Sequence, residues 1–295
     1  MLPLFIHWNV DPVIFYLGSF GLRWYSLGFL LTFTCGYFIL LWMYKKEHVE
    51  SKYVDAVLLY VFLGVLIGAR LGHCLFYEPD YFCTSEHWLE IFLPFNLKTG
   101  QFTGYQGLAS HGAAIAVVFA MWLIYKKYRL NLWWVLDRLV IAVALGGFFI
   151  RMGNLFNSEI YGVETTLPWG FIFERNGEVL PKHPTQLYEA FSYLVLGFIL
   201  LWIYKVHLDR LKRGELFAIF MMALFGIRFM IEFIKEPQVG FEEQMVLNMG
   251  QILSIPCILF GLIVLIWSLK QACPAASDNL LAQQKKSEKR KTLKA

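Results

Sequence analysis

The stretch from Leu132 to Gly162, LWWVLDRLVIAVALGGFFIRMGNLFNSEIYG, carries both halves of the reading. From Leu132 to Ile150 it is apolar apart from Asp137 and Arg138, long enough to cross a bilayer core as a helix. From Arg151 its character changes to Arg, Asn, Asn, Ser and Glu, closed by Gly162. Polar groups held at membrane depth are costly and usually face an aqueous or substrate cavity, so chemistry belongs at this end of the span.

Working outward, six further apolar runs mark spans near Trp24 to Tyr44, Tyr53 to Tyr77, Gly107 to Tyr125, Thr185 to Tyr204, Glu215 to Ile234 and Met245 to Leu269. The whole 295-residue chain is 58% hydrophobic and only 16% charged, against about 25% charged in soluble domains, which excludes a soluble globular protein and a disordered one. Long continuous runs, rather than ten-residue alternating ones, favour helices over a membrane β-barrel. The fold class is therefore all-α: a polytopic seven-helix transmembrane bundle occupying residues 1–269, with arm and head segments on its outer face.

Of the 26 Lys and Arg, 17 fall in 45–52, 126–131, 205–213 and the tail from Lys270, which puts the C-terminus in the cytoplasm and the N-terminus outside. Segments 78–105, 151–184 and 235–244 then face outward. The tail 270–295 reads as a disordered, basic segment attracted to anionic lipid, not as a nucleic-acid binder. Met1 to Leu22 has no Lys or Arg, so no cleaved signal peptide is expected. The stretch Phe5 to Gly21, broken by the Asp11-Pro12 turn, is expected to lie in the membrane interface. Cys35, Cys74, Cys83, Cys257 and Cys273 form no C-x-x-C pair or metal-ligand spacing, and neither a metal site nor a nucleotide loop is recognisable.

Four polar clusters carry the candidate chemistry. Gly107 to Ala114 surrounds His111 with small residues, suited either to close ligand approach or to plain helix packing. In Arg151 to Gly162, helical spacing would put Arg151, Asn154, Ser158 and Glu159 on one face, to hold a headgroup or to form a simple Arg151–Glu159 bridge. His183 to Glu189 begins the fifth span, where capping and interface anchoring explain most of it. Gly226 to Lys235 closes the sixth, with Arg228 and Glu232 spaced to pair, or with Arg228 left to meet a lipid phosphate. Tyr25 adds a phenol at the same level. Because these groups gather near one leaflet and not at the midplane, they point to an enzyme acting on a phospholipid headgroup at the outer surface of the inner membrane.

Nearly the whole chain resembles the prolipoprotein diacylglyceryl transferase family. The resemblance rests on Asp11 to Phe15, Leu22 to Tyr25, and the pattern Gly-Arg-x-Gly/Ala-Asn-Phe-x-Asn-x-Glu-x-x-Gly, filled by Arg151, Gly153, Asn154, Asn157, Glu159 and Gly162. It extends to His183 to Glu189, with Thr185 for Ser, and to the Arg-Phe-x-x-Glu-Phe run at Arg228 to Phe233. Ile150, Leu155, Leu224 and Lys235 depart from the family's Gly, Phe, Tyr and Arg.

The resemblance implies transfer of the diacylglyceryl group of phosphatidylglycerol to the lipobox cysteine thiol of lipoprotein precursors in the bacterial inner membrane, without a cofactor. It assigns His111 as base or orienter and Arg151 and Arg228 as the phosphate clamp. Tyr25 and Asn154 bind the headgroup, Glu159 orients Arg151 or serves as the base, Glu232 orients Arg228, and Gly162 permits a turn. A transporter or flippase for a lipid or small solute, using the same arginines to bind headgroups, or a non-catalytic scaffold for precursors, is the alternative from another class.

Overall fold

The computed structural model describes residues 5–18, 20–84, 87–93, 95–97, 100, 109–237 and 245–271. They are mostly helical: α1 (Trp24–Lys46), α2 (Lys52–Phe76), the short α3 (Pro79–Phe82), α4 (Ser110–Tyr128), α5 (Leu132–Phe156), α6 (Thr185–His207), α7 (Glu215–Ile231) and α8 (Met249–Leu269). Among the described residues six helices are long and apolar enough to span a membrane. The seventh long helix, α4, is 19 residues and less apolar because His111, Lys126 and Lys127 sit at its ends. The chain is a multi-pass membrane protein.

Two compact units divide it, residues 1–47 with 133–295, and 48–132. In the smaller unit, α2 and α4 pack closely because Gly64, Gly68 and Gly72 of one face Gly112, Ala116 and Ala120 of the other. A Cβ on Gly68 or Gly112 would run into backbone or Cβ atoms of the facing helix. The small residues from Gly112 onward are thus used for helix packing, whereas Gly107 and Leu108 lie outside the described residues. Beyond α2, the Arg70 guanidinium donates to the Ile91 and Glu90 carbonyls at 3.2 and 2.8 Å, tying the segment after α3 back onto the span.

In the larger unit α5 is central, with 56% of its span buried against 17% to 28% for α1, α6, α7 and α8. Thr32 of α1 donates to the Gly146 carbonyl at 3.0 Å, and Tyr193 of α6 lies against Gly147. The charges inside α5 are accounted for at one end of this unit. Asp137 accepts from the Gly214 and Phe217 N–H groups at 2.7 and 2.9 Å and so caps α7 from a neighbouring helix. Arg138 forks onto Glu47 at 2.9 and 2.8 Å, and Trp134 and Tyr204 donate to the same carboxylate at 2.8 and 2.9 Å. A buried ion pair this fully hydrogen-bonded is tolerated where an isolated charge would not be.

Several helix limits differ from the sequence expectation. α5 does not stop at Ile150 but runs to Phe156, so Arg151 to Asn154 are its last turns. α8 starts at Met249 rather than Met245, because Asn248 and Gln251 form a reciprocal capping box there. α7 passes into a 3-10 turn at Glu232–Ile234. The stretch expected at the interface contains strands: β1 (Ile6–Trp8) pairs in parallel with β4 (Phe171–Phe173), and β2 (Val13–Leu17) with β3 (Phe20–Arg23) forms a hairpin leading directly into α1. The basic tail from residue 272 lies outside the described residues.

Candidate functional site

The other end of the larger unit is polar. The last turns of α5 bring Gly153 against Tyr25 at the start of α1, where a Cβ would come within 2.6 Å of the phenol ring. Glycine therefore lets Tyr25 settle beside Asn154, whose amide is within hydrogen-bonding reach of the hydroxyl. Phe156 stacks on Trp24 with ring centroids 4.7 Å apart, fixing the same junction.

Arg151 donates to Asn154 Oδ1 at 3.2 Å, Asn154 donates to Glu159 Oε1 at 2.8 Å, and Asn157 donates to that same oxygen at 3.2 Å. Arg151 and Glu159 are thus connected through an amide and do not form the direct bridge that spacing allowed. The helix ends at Phe156, and Ser158 and Ile160 take positive φ angles of 53° and 61°, which turns Glu159 back over α5.

The partner of Arg151 comes from elsewhere. Its Nε lies 2.8 Å from Glu189 Oε2, one turn into α6 and completely buried. Glu189 Oε1 accepts from Lys235 Nζ at 3.1 Å, and Lys235 also reaches Glu232 Oε2 at 3.1 Å. Two cations and two carboxylates alternate in one buried ladder. The 3-10 turn brings residues three apart onto one face, so Glu232 meets Lys235 and not Arg228. Its carboxylate also rests against Gly250 at the start of α8.

Arg228 is left half-buried without an ion pair or hydrogen bond to any described residue, its charge felt by Tyr193 and Cys257. Among the described residues its guanidinium is thus a half-buried cation without a carboxylate, and Glu159, held by the Asn154 and Asn157 amides, a carboxylate without a cation. Gly162 occupies a crossing of three segments: its N–H donates to the His183 carbonyl at 2.8 Å, and a Cβ there would strike the Ile234 carbonyl. His111 lies in the first turn of α4, in the smaller unit, and its side chain is outside the described residues.

Sequence reasoning passed over Glu189 and Lys235. A carboxylate one turn inside a span, and a lysine three residues after Glu232, were the signals available. The adjoining arm is tied by further pairs. Lys182 meets Glu236, Glu178 and Glu164 at 2.8, 3.5 and 3.9 Å. Burial works against its charge, but these carboxylates outweigh it and raise its pKa. The Tyr161 hydroxyl, partly buried and donating to Glu178 at 2.9 Å, has its pKa raised. Burial lowers that of His183, which meets the Tyr188 hydroxyl at 3.2 Å.

The profile of the prolipoprotein diacylglyceryl transferases matches residues 12–267. The chain belongs to this family. Its relatives include the phosphatidylglycerol–prolipoprotein diacylglyceryl transferase of Bacteroides fragilis, 41% identical over 264 residues, or 88% of this chain and 94% of the relative. Those of Tolumonas auensis, 39% identical over 90% of this chain and 98% of theirs, and of Porphyromonas gingivalis, 40% identical over 91% and 96%, carry the same description. Family membership agrees with the resemblance read from the Arg151 to Gly162 and Arg228 to Phe233 motifs.

Proposed function

We propose that this chain transfers the diacylglyceryl group of phosphatidylglycerol to the thiol of a lipobox cysteine in lipoprotein precursors, at the outer face of the bacterial inner membrane. The observation that carries the reading, beyond family membership, is that Arg228, without an ion pair among the described residues, lies at the same end of the unit as the amide-held Glu159. In the reaction a sulfur–carbon bond forms and the bond from the glycerol carbon to the phosphate oxygen breaks. Glycerol phosphate leaves with the electron pair, and the thiol proton passes to a base.

A thiol of ordinary pKa near 8.5 needs that base, or a cationic setting, to become a nucleophile near neutral pH. Glu159 is one candidate acceptor, and His111 is the other, on the sequence pattern. Arg228 and Arg151 stabilise the phosphate, whose charge grows as the carbon–oxygen bond breaks. Arg228 has its hydrogen-bonding fork free for that purpose among the described residues, while Arg151 is aimed by Glu189 and Asn154. Tyr25 and Asn154 bind the headgroup, Glu232 balances Lys235 beside them, and Gly162 keeps the arm close to the start of α6.

The test uses the purified protein in phosphatidylglycerol liposomes with a peptide bearing a lipobox cysteine, following peptide mass and free glycerol phosphate. The expected result is a diacylglyceryl mass gain matched by glycerol phosphate, lost in Arg228→Ala and in His111→Ala. Folded, lipid-binding protein that yields no adduct would overturn the reading.

A further inference from the structure

Glu159 is presented by a piece of backbone that its own sequence does not favour. Ser158 and Ile160 flank it with φ of 53° and 61°, and a β-branched residue in the left-handed region is a true outlier, because Cβ crowds the following carbonyl. Such conformations persist only where surrounding groups over-determine them. Here three consecutive carbonyls are each taken by a different side chain. Asn176 Nδ2 donates to the Ser158 carbonyl at 2.6 Å, Gln186 Nε2 to that of Glu159 at 2.7 Å, and Thr185 Oγ1 to that of Ile160 at 2.8 Å.

Thr185 and Gln186 are completely buried, so these bonds are shielded from competing water. The second polar atom of Gln186, Oε1, is buried without a partner among the described residues, so the side chain is held by what its amide donates. On the opposite side of the turn, Asn154 and Asn157 receive the Glu159 carboxylate.

We propose that Thr185 and Gln186, backed by Asn176, are positioning residues that lock the left-handed Ser158–Ile160 turn and so fix where the Glu159 carboxylate stands. None of the three needs to touch substrate. The inference rests on the transferase reading of the site.

The test compares wild type, Thr185→Val, Thr185→Ser, Gln186→Met and Glu159→Gln in the liposome assay, together with hydrogen exchange across residues 157–162. The valine and methionine variants keep size and lose the donor, the methionine also losing the unpartnered Gln186 Oε1. They are expected to lower kcat about tenfold with KM for the peptide unchanged, to displace the acid limb of the kcat/KM profile, and to speed exchange in the turn. Thr185→Ser, which keeps the hydroxyl, restores both readouts. Ile160→Gly placed on Thr185→Val recovers much of the rate, since glycine adopts φ near +60° without strain and needs no lock.

The clamp is overturned if the donor-less variants turn over at the wild-type rate with the wild-type pH profile. It is also overturned if Gln186→Met costs the same factor in the Glu159→Gln background as alone, because it would then not act through Glu159. Absence of adduct from wild type would instead sink the transferase reading. The exchange rates of the turn would still decide whether the lock exists.

Discussion

Arg151 Nε and Glu189 Oε2 meet at 2.8 Å, and the Glu189 carboxylate, held between Arg151 and Lys235, has no solvent exposure at all. Removing one partner of a buried pair leaves an uncompensated charge, at a cost of about 3–5 kcal/mol. Glu189→Gln is therefore expected to unfold well below wild type in a detergent melt. Adding Arg151→Met removes the cation that the first change leaves without a carboxylate, while Lys235 keeps Glu232, and should recover a large part of the loss. A double variant no more stable than the single would show that Arg151 and Glu189 are not electrostatically coupled.

Arg228 should behave in the opposite manner. It has no ion pair among the described residues to give up, so Arg228→Met is expected to melt within a few degrees of wild type, or above it. If the guanidinium stabilises the departing phosphate, turnover falls about 100-fold or more, the scale of one lost transition-state donor. Arg228→Lys keeps the charge without the planar fork and should lie between. Loss of stability in step with loss of turnover would assign Arg228 to the scaffold.

The contrast between these two arginines also shows where the sequence was legible. Membrane helices announce themselves through runs of about 20 apolar residues, and α1, α2, α6 and α7 lie close to where such runs put them. Helix ends are set by local chemistry instead, as in α8, where the Asn248 and Gln251 cap prevails over the apolar Met245 and Val246. Partners were harder still. Spacing along one helix suggested Arg151–Glu159 and Arg228–Glu232, yet Asn154 stands between the first two and a 3-10 turn redirects Glu232 to Lys235. The partner of Arg151 lies on α6, and the pairing of β1 with β4 joins residues more than 160 positions apart, neither of which local pattern encodes.

The segment after α3 should respond to acid. Burial alone would raise the Glu90 pKa, but the carboxylate accepts from the Leu97 N–H at 2.9 Å and meets His87 and Tyr81 at 3.1 and 2.9 Å, and the net result is a lowered pKa. A carboxylate with a depressed folded-state pKa adds stability that is complete above its ordinary value of 4.5 and is lost as pH falls through the depressed one. Hydrogen exchange at Trp88 to Phe92 is thus expected to be flat from neutral pH to about 5, after correction for intrinsic rates, and to accelerate below 4.5. In Glu90→Gln that acid step should disappear. An acid step of equal size in the glutamine variant would place its origin elsewhere.

The hairpin ahead of α1 makes the last prediction. Between Asp11 and Arg23 it holds no charged residue, and Phe15, Tyr16 and Leu17 are 48%, 66% and 67% exposed. An isolated two-stranded hairpin is marginal in water, and one this apolar would also expose a sticky edge. Yet its open backbone edges could not be satisfied within hydrocarbon. The headgroup layer resolves the conflict, since water there serves the edge while the side chains reach the acyl boundary. Trp24, the first residue of α1, directly continues β3 into that span. With the five native cysteines replaced and Tyr16→Cys carrying an environment-sensitive dye, emission in liposomes should shift to the blue and be quenched most by lipids brominated near the headgroup. Quenching only by water-soluble iodide would put the hairpin in solvent, and strongest quenching by bromines at the chain ends would put it too deep for its edges to be satisfied.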